Sequence, residues 1–199
     1  MEIIIYSASG SNSSARVEWV LNYKEIEFKR IEVQNSELKT SYLNVNKYGY
    51  VPSLAVNGNI FAESMAIIEM LEELFPSNPV LPKGIYERAK VREVCEYVNS
   101  TIHSPQNRTV LNHFRPNSNQ EEIVELRRQW LSVCLLRLEP MLWKQSSFVL
   151  FNEFSVADIF IACIYKKLLE FGSELNQAFT NHLNFLRQHD KICASEPKT

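Results

Sequence analysis

Three polar residues lie directly in front of a helix-like stretch near the start of the chain. Ser11, Asn12 and Ser13 open the segment SNSSARVEWVL, whose apolar residues recur with helical spacing. Serine and asparagine are common helix N-caps, because their side-chain oxygens accept hydrogen bonds from the first backbone N–H groups. A hydroxyl at this place, with the helix dipole behind it, can also hold a thiolate or another anion. The motif alone fits either capping or anion binding.

A proline stands one step into a predicted strand in the segment YGYVPSL, residues 48–54. Proline has no N–H to give to a sheet ladder, so it is confined to a strand start, an edge or a special turn. If the Val51–Pro52 bond is cis, the N–H and C=O of Val51 point outward and can pair with an extended peptide. An ordinary edge-strand proline explains the pattern equally well.

Glu63 and Ser64 lie where a predicted hairpin ends and the next helix begins. Ser64 is a helix cap in the simplest interpretation, but its hydroxyl and the first N–H groups also form a corner that can bind a carboxylate. Glu63 beside it can meet an ammonium group. Together these features would bind a thiol, an extended peptide and an α-amino acid end. Glutathione has all three of these groups.

The elements that must position these residues follow from hydrophobic periodicity. The order before residue 75 is strand, helix, strand, a hairpin closed by Asn57-Gly58, and a helix. The segment FPSNPVLPKG contains three prolines and a glycine, which predicts a linker, and the patterns after it are helical. We therefore expect an α/β domain over residues 1–76, a linker over 77–84 and an all-α domain over 85–199.

Composition narrows the classes of partner. The 199 residues are 45% hydrophobic and 22% charged, with a formal net charge of −2, which predicts a globular protein without a nucleic-acid or anionic-membrane footprint. The start lacks the pattern of a secretory signal, and the apolar run IFIACIY is far shorter than the roughly 20 residues of a membrane span. Four separated cysteines indicate buried thiols in a reducing cytoplasm rather than a disulfide frame or a metal site.

Four segments resemble the glutathione transferase family, and within it the zeta class, which includes maleylacetoacetate isomerases. They are SNSSARVEWVL, NKYGYVPSLAVNGNIFAESMAIIEMLEELFP, IHSPQNRTVL and FSVADIFIA. The resemblance implies the glutathione transferase fold, in which a thioredoxin-like N-terminal domain holds glutathione beside an all-α C-terminal helical domain. It also implies a homodimer and a cis Pro52 that presents Val51 to the cysteinyl backbone of glutathione.

The resemblance assigns roles to single residues. Ser11 matches the catalytic serine of the family, with Asn12 and Ser13 at the companion polar positions. Glu63 and Ser64 match the residues that contact the γ-glutamyl group.

Two further matches lie beyond the linker. Gln106, with its neighbour Asn107, matches a second-domain glutamine that reaches glutathione, although a polar break after a helix also explains the segment SPQN. Ser155 and Asp158 have the spacing of a capping box and match the buried folding motif of the family, which is structural rather than catalytic.

Three positions depart from the zeta class. Ser13 stands where isomerases of that class usually have cysteine, and Gly10 stands where they usually have arginine. Glu170 stands where they have a further basic residue. This chain therefore lacks two basic residues with which the class usually binds a dicarboxylate substrate.

The sequence predicts an enzyme that binds glutathione and adds its thiolate to small electrophilic substrates. Ser11 is the predicted hydrogen-bond donor to that thiolate. One alternative is maleylacetoacetate isomerase, a glutathione-dependent cis-trans isomerisation, which the zeta-like frame favours and the departures oppose. Another alternative is a non-catalytic interaction module on the same fold, since a fold does not fix a function.

Overall fold

The computed structural model describes residues 1–173 and 177–198 and divides the chain into two compact units. Unit 1 comprises Met1–Val80 together with His189–Thr199, and unit 2 comprises Leu81–Gln188. The helices in chain order are α1 (Asn12–Tyr23), α2 (Ser64–Leu74), α3 (Ile85–Glu96), α4 (Arg108–Phe114), α5 (Gln120–Leu138), α6 (Val156–Glu170), α7 (Gln177–Arg187) and α8 (Asp190–Ser195). Short 3₁₀ turns cover Ser41–Asn44 and Glu139–Met141, and a π-helical segment covers Tyr97–His103.

Unit 1 is built on a four-stranded sheet with the strand order β2-β1-β3-β4. The strands are β1 (Ile3–Ser7), β2 (Lys29–Glu32), β3 (Ser53–Val56) and β4 (Asn59–Ala62). β1 runs parallel to β2 and antiparallel to β3, and β3 pairs antiparallel with β4. This mixed sheet with its helices confirms the predicted thioredoxin-like domain.

The hairpin between β3 and β4 turns at the predicted Asn57-Gly58 pair. Asn57 has φ 48° and Gly58 has φ 83°, both in the left-handed region. A two-residue type I′ turn requires positive φ at both central positions, which asparagine and glycine adopt most readily. The turn fixes the register in which Val56 faces Asn59.

A buried ion pair between α1 and α2 contacts the segment that follows α2. Lys24 Nζ lies 2.7 Å from Glu72 Oε2, and the side chain of Lys24 is fully buried. The same ammonium donates to the carbonyl oxygens of Ser77 and Asn78 at 3.1 and 3.2 Å, while Glu72 accepts from the Val80 N–H at 3.2 Å. The proline-rich segment after α2 is therefore held in place although it forms no helix or strand.

The last residues of the chain pack on α1, so the predicted 85–199 domain differs from the observed division at its C-terminal end. The indole Nε1 of Trp19 donates to Ser195 Oγ at 3.0 Å, and both residues are buried. The side-chain amide of Asn22 donates to the Ser195 carbonyl oxygen at 3.1 Å. Satisfying the buried indole N–H in this way draws α8 into unit 1.

In its described part, 81–173 and 177–188, unit 2 contains helices and no strand, and α6 packs against α3, α5 and α7. Asp158 at the start of α6 is fully buried and accepts from the Ser155 N–H at 2.8 Å, as the predicted capping box requires. Its other oxygen accepts from the Val149 N–H at 2.7 Å and lies 3.0 Å from His182 Nε2. The long helix α5 ends at Leu138, just before Pro140, which cannot continue the helical hydrogen bonding.

Candidate active site

The register of the sheet brings three predicted site segments to one end of unit 1. Tyr6 of β1 pairs with Ser53 of β3, and Ser53 pairs with Ala62 of β4. These three residues form one row across the sheet. A predicted site segment follows or precedes each strand at this end of the sheet. The segments are Ser11–Ser13 after β1, Val51–Pro52 before β3, and Glu63–Ser64 after β4.

Ser11 is the N-cap of α1, and the residue is half-buried. Its backbone has φ −80° and ψ 114°, and its Oγ accepts from the Ser14 N–H at 3.3 Å. Capping uses an acceptor lone pair and leaves the hydroxyl proton for another partner. Ser11 can therefore cap the helix and donate to an anion at the same time, so the two interpretations of the motif are compatible.

Asn12 and Ser13 begin α1 behind this cap. Asn12 is 6% exposed, and its Oδ1 accepts from Nη2 of Arg16 at 2.6 Å. Arg16 is fully buried, so this contact lies in the interior of unit 1. Ser13 is half-buried.

A charged pair on β2 holds the loop that leads to Ser11. Glu32 Oε1 accepts from the Ser9 N–H at 2.8 Å, and its Oε2 lies 2.5 Å from Nη1 of Arg30. The Ser9 N–H, with Arg30 adding to it, holds the pKa of Glu32 below its usual range. Arg30 also donates to Glu18 of α1 at 3.0 Å, so strand, loop and helix are linked. Sequence reasoning missed this linkage, because the partners belong to different elements.

The Val51–Pro52 peptide bond is cis, as the resemblance implies. Pro52 is buried, Val51 is half-buried, and the pairing of β3 begins only at Ser53. The backbone N–H and C=O of Val51 therefore lie outside the described sheet pairs. The preceding turn is anchored by Tyr42, whose Oη lies 2.7 Å from Ser53 Oγ and 3.2 Å from the Tyr50 carbonyl oxygen.

The start of α2 supplies backbone donors beside a buried serine. Glu63 is the N-cap residue, not Ser64, and it has φ 69°, a conformation that is uncommon for residues other than glycine and occurs at functional sites. The first helical hydrogen bond runs from the Ile67 N–H to the Glu63 carbonyl oxygen at 3.0 Å. The N–H groups of the first turn, starting at Ser64, are therefore available to a carboxylate. Ser64 is 6% exposed, whereas Glu63 is exposed to solvent.

Gln106 and Asn107 lie in unit 2, and their side chains have partners there. Gln106 is 1% exposed, and its Oε1 accepts from Nε of Arg127 at 2.8 Å. Its Nε2 lies 3.4 Å from Nδ1 of His103. Asn107 caps α4 by accepting from the Thr109 N–H at 2.9 Å. The contact of Gln106 and Asn107 with glutathione stays a prediction.

A metal site and a membrane-spanning helix are both absent from the described residues, 1–173 and 177–198. No group of three or more His, Cys, Asp or Glu side chains there is placed to hold a metal ion. In the same ranges, no helix is long and apolar enough to cross a membrane. The four cysteines are free thiols, of which Cys193 is exposed and the other three are buried.

Comparison with known proteins supports the resemblance to the glutathione transferase family. Residues 5–79 match the family model described as glutathione S-transferase, N-terminal domain. Glutathione S-transferase 1 of Dianthus caryophyllus is 30% identical over 202 aligned residues, which cover 94% of this chain and 91% of the relative. Maleylacetoacetate isomerase of Dictyostelium discoideum is 32% identical, with 78% of this chain and 74% of the relative covered.

Solved structures agree in fold. The holo structure of maleyl pyruvate isomerase, a bacterial glutathione S-transferase of the zeta class, has a TM-score of 0.89 at 23% identity, covering 98% of this chain and 96% of that one. Maleylacetoacetate isomerase of Anaeromyxobacter dehalogenans 2CP-1, with bound dicarboxyethyl glutathione and citrate, has a TM-score of 0.83 at 25% identity, covering 98% and 91%. With a matching N-terminal domain and a relative similar along nearly its whole length, this chain belongs to the glutathione S-transferase family.

Proposed function

We propose that the protein binds glutathione in unit 1 and adds its thiolate to the electrophilic carbon of a small substrate. The observation that carries the proposal is the single row Tyr6–Ser53–Ala62, which brings a hydroxyl at a helix start, an unpaired backbone edge and a second helix start to one end of the sheet. These three features match the thiol, the peptide backbone and the γ-glutamyl end of one glutathione molecule.

Ser11 is the group that stabilises the thiolate in this proposal. A free thiol has a pKa of about 8.5, so at neutral pH the anion must be favoured by its surroundings. The Ser11 O–H and the N-terminus of α1 both favour a negative charge. When the electrophilic carbon belongs to an activated double bond, the thiolate sulfur forms a bond to it. The electron pair displaced from the double bond then takes a proton from solvent.

The remainder of glutathione is held by backbone groups. The cysteinyl N–H and C=O pair with the C=O and N–H of Val51, and Pro52 keeps this edge out of the sheet. The carboxylate of the γ-glutamyl group accepts from the first N–H groups of α2 and from Ser64, while Glu63 meets its ammonium group. Asn12 and Ser13 support the thiolate end from the first turn of α1.

A calorimetric titration with glutathione tests this proposal. The transferase and isomerase functions both require binding, whereas a non-catalytic module predicts none. Ser64→Ala should weaken binding, because it removes one donor to the carboxylate. Absence of glutathione binding to the wild-type protein would refute the proposal.

Isomerisation is the second candidate function, favoured by the 32% identity to a maleylacetoacetate isomerase. In that reaction the thiolate adds to a cis double bond, the resulting single bond rotates, and glutathione leaves. Measuring kcat/KM for maleylacetoacetate and for a neutral electrophile in one preparation separates the two functions. A larger value for the diacid would make isomerisation the main activity.

We also propose that the N-terminal α/β region is the glutathione-binding domain of a cytoplasmic homodimer. Four free thiols fit a reducing compartment. Exposed apolar side chains in the loop before β3 and on the edge strand β4 suit an interface between copies: Tyr48, Tyr50, Ile60 and Phe61. Sedimentation at micromolar concentration tests the dimer, and cell fractionation tests the location.

A further inference from the structure

Asn46 lies in the turn before Val51, and its side chain bonds to the backbone of that turn twice. The residue is 6% exposed. Its Oδ1 accepts from the Tyr48 N–H at 3.0 Å, and its Nδ2 donates to the Tyr50 carbonyl oxygen at 2.8 Å. One partner is a donor and the other an acceptor, so only this orientation of the amide satisfies both. The side chain of Asn46 therefore fixes the backbone from Tyr48 to Tyr50.

The carbonyl oxygen of Tyr50 has a second buried neighbour. The Oη of Tyr42 lies 3.2 Å from it, and Tyr42 is 4% exposed. The same Oη lies 2.7 Å from Oγ of Ser53, which is fully buried. When Ser53 donates to Tyr42, the phenolic proton of Tyr42 is directed to Tyr50. Two buried side chains thus hold a carbonyl group whose own side chain is exposed.

The bonded carbonyl and the N–H of Val51 belong to the same peptide group. The Tyr50–Val51 bond is trans, so its C=O and N–H point in opposite directions from one plane. Within residues 1–173 and 177–198 the Val51 N–H has no hydrogen-bond partner, and the pairing of β3 begins at Ser53. Hydrogen bonds to a carbonyl also polarise its peptide group and strengthen the N–H as a donor. Asn46 and Tyr42 therefore set both the direction and the donor strength of the Val51 N–H.

Close packing of the turn keeps Asn46 in place. The Gly49 N–H donates to the Asn46 carbonyl oxygen at 3.0 Å, which closes a turn over residues 46–49. Gly49 has φ 69°, and a Cβ at this position would lie 2.9 Å from the Leu38 carbonyl oxygen. Only glycine fits this contact without a shift of the backbone. The Asn46 amide is thus presented to Tyr50 from a fixed position.

We propose that Asn46, assisted by Tyr42, is a positioning residue for glutathione. It orients the Tyr50–Val51 peptide group so that the Val51 N–H donates to the cysteinyl carbonyl oxygen. The inference rests on the proposed glutathione binding. Asn46 acts through Val51 on the peptide backbone of the ligand, whereas Ser11 acts on its sulfur, so the two effects are separable.

Asn46→Asp and Asn59→Asp form a matched pair of test variants. The carboxylate in Asn46→Asp still accepts from the Tyr48 N–H, but it has no donor for the Tyr50 carbonyl oxygen. Asn59 is exposed on the hairpin of the same unit, and its Nδ2 donates to the Val56 carbonyl oxygen at 3.4 Å. Calorimetric titration with glutathione should show about tenfold weaker binding in Asn46→Asp, as expected for one lost hydrogen bond. Asn59→Asp, with the same change of charge, should bind like the wild type.

Two further measurements distinguish positioning from support of the turn. Tyr42→Phe removes the second donor without a change of charge and should weaken glutathione binding about two- to threefold. In Asn46→Asp the KM for glutathione should rise with the loss of affinity, while kcat at saturating glutathione stays within about twofold of the wild-type value. A role confined to the turn predicts wild-type binding in Asn46→Asp, because aspartate forms the same turn as asparagine.

Nuclear magnetic resonance of the backbone amides reads the Val51 hydrogen bond directly. On saturation with glutathione the Val51 amide proton should move downfield in the wild type, as amide protons do on entering a hydrogen bond, and less so in Asn46→Asp. Wild-type affinity in Asn46→Asp, or an unmoved Val51 amide in a wild-type complex, would overturn the positioning role and leave glutathione binding intact. A wild-type protein that does not bind glutathione would instead refute the proposed function, and this inference with it.

Discussion

Replacing Ser11 by alanine separates the two uses of its hydroxyl, capping α1 and donating to a thiolate. The cap bond from the Ser14 N–H is 3.3 Å long, longer than the usual 2.9–3.0 Å. Its loss should therefore cost about 0.5–1 kcal/mol of unfolding free energy, the lower part of the range for N-caps. A domain with a stability of about 5–15 kcal/mol stays folded after such a loss.

The effect on turnover should be much larger than the effect on stability. Removing one preorganised donor to a developing or fixed anion lowers kcat by about 10²–10³, equivalent to about 2.7–4 kcal/mol. Glutathione affinity should change little, because the peptide backbone and the γ-glutamyl end are held by Val51 and α2. The expected pattern is a stable protein that binds glutathione and turns over slowly.

Ser14→Ala is the matched control. Ser14 is 1% exposed, and its Oγ is buried without a hydrogen-bond partner in the part of the chain that the structure describes. Removing an unsatisfied buried hydroxyl should leave the unfolding free energy unchanged or slightly raised. Urea denaturation, glutathione titration and kcat with a neutral electrophile are measured for both variants. Unchanged kcat in Ser11→Ala would refute the role of this hydroxyl.

Three further predictions concern the supports of the fold. Glu72→Gln leaves the buried ammonium of Lys24 without its counter-ion, so unfolding free energy should fall by about 3 kcal/mol, whereas Glu93→Gln breaks an exposed pair and should cost under about 1 kcal/mol; equal losses in urea denaturation would contradict the buried pair. The pKa of Glu32 is lower in the folded protein than in the unfolded chain, so its stabilising contribution is present above the unfolded value of about 4.3 and is lost as pH falls through the folded value. Stabilities of wild type and Glu32→Gln should therefore differ at neutral pH and converge in acid, and a pH-independent difference would exclude this linkage. Asp158→Ala removes the acceptor of several buried donors and should lower unfolding free energy by about 3 kcal/mol or more, measured by thermal or urea unfolding; a loss below about 1 kcal/mol would show that the box contributes little.

Features with signals close together in the chain were predicted well. The capping serine of α1, the Asn57-Gly58 turn and the Ser155–Asp158 box each depend on residues within a few positions of one another. Hydrophobic periodicity likewise located the strands and most helices. In each case local backbone chemistry determines the structure, so the residue types themselves carry the information.

Contacts between distant segments were not predictable from one sequence. Ser195 satisfies the indole of Trp19 across 176 positions, which moves the chain end into unit 1. Lys24 meets the carbonyl of Ser77 only because the ends of α1 and α2 pack together. The support of the Ser11 loop by Glu32 also depends on tertiary packing. Composition and spacing contain no signal for these pairings.

The pKa of the thiol in bound glutathione tests the central claim most directly. Thiolate ultraviolet absorbance is followed against pH for the wild-type complex and for Ser11→Ala, with glutathione saturation checked at each pH. In the wild-type complex the thiol should ionise at least about one unit below the free value of about 8.5, and in Ser11→Ala the pKa should move back toward that value. A wild-type complex whose thiol ionises at or above the free value would contradict the assignment of this end of the sheet as the thiolate site.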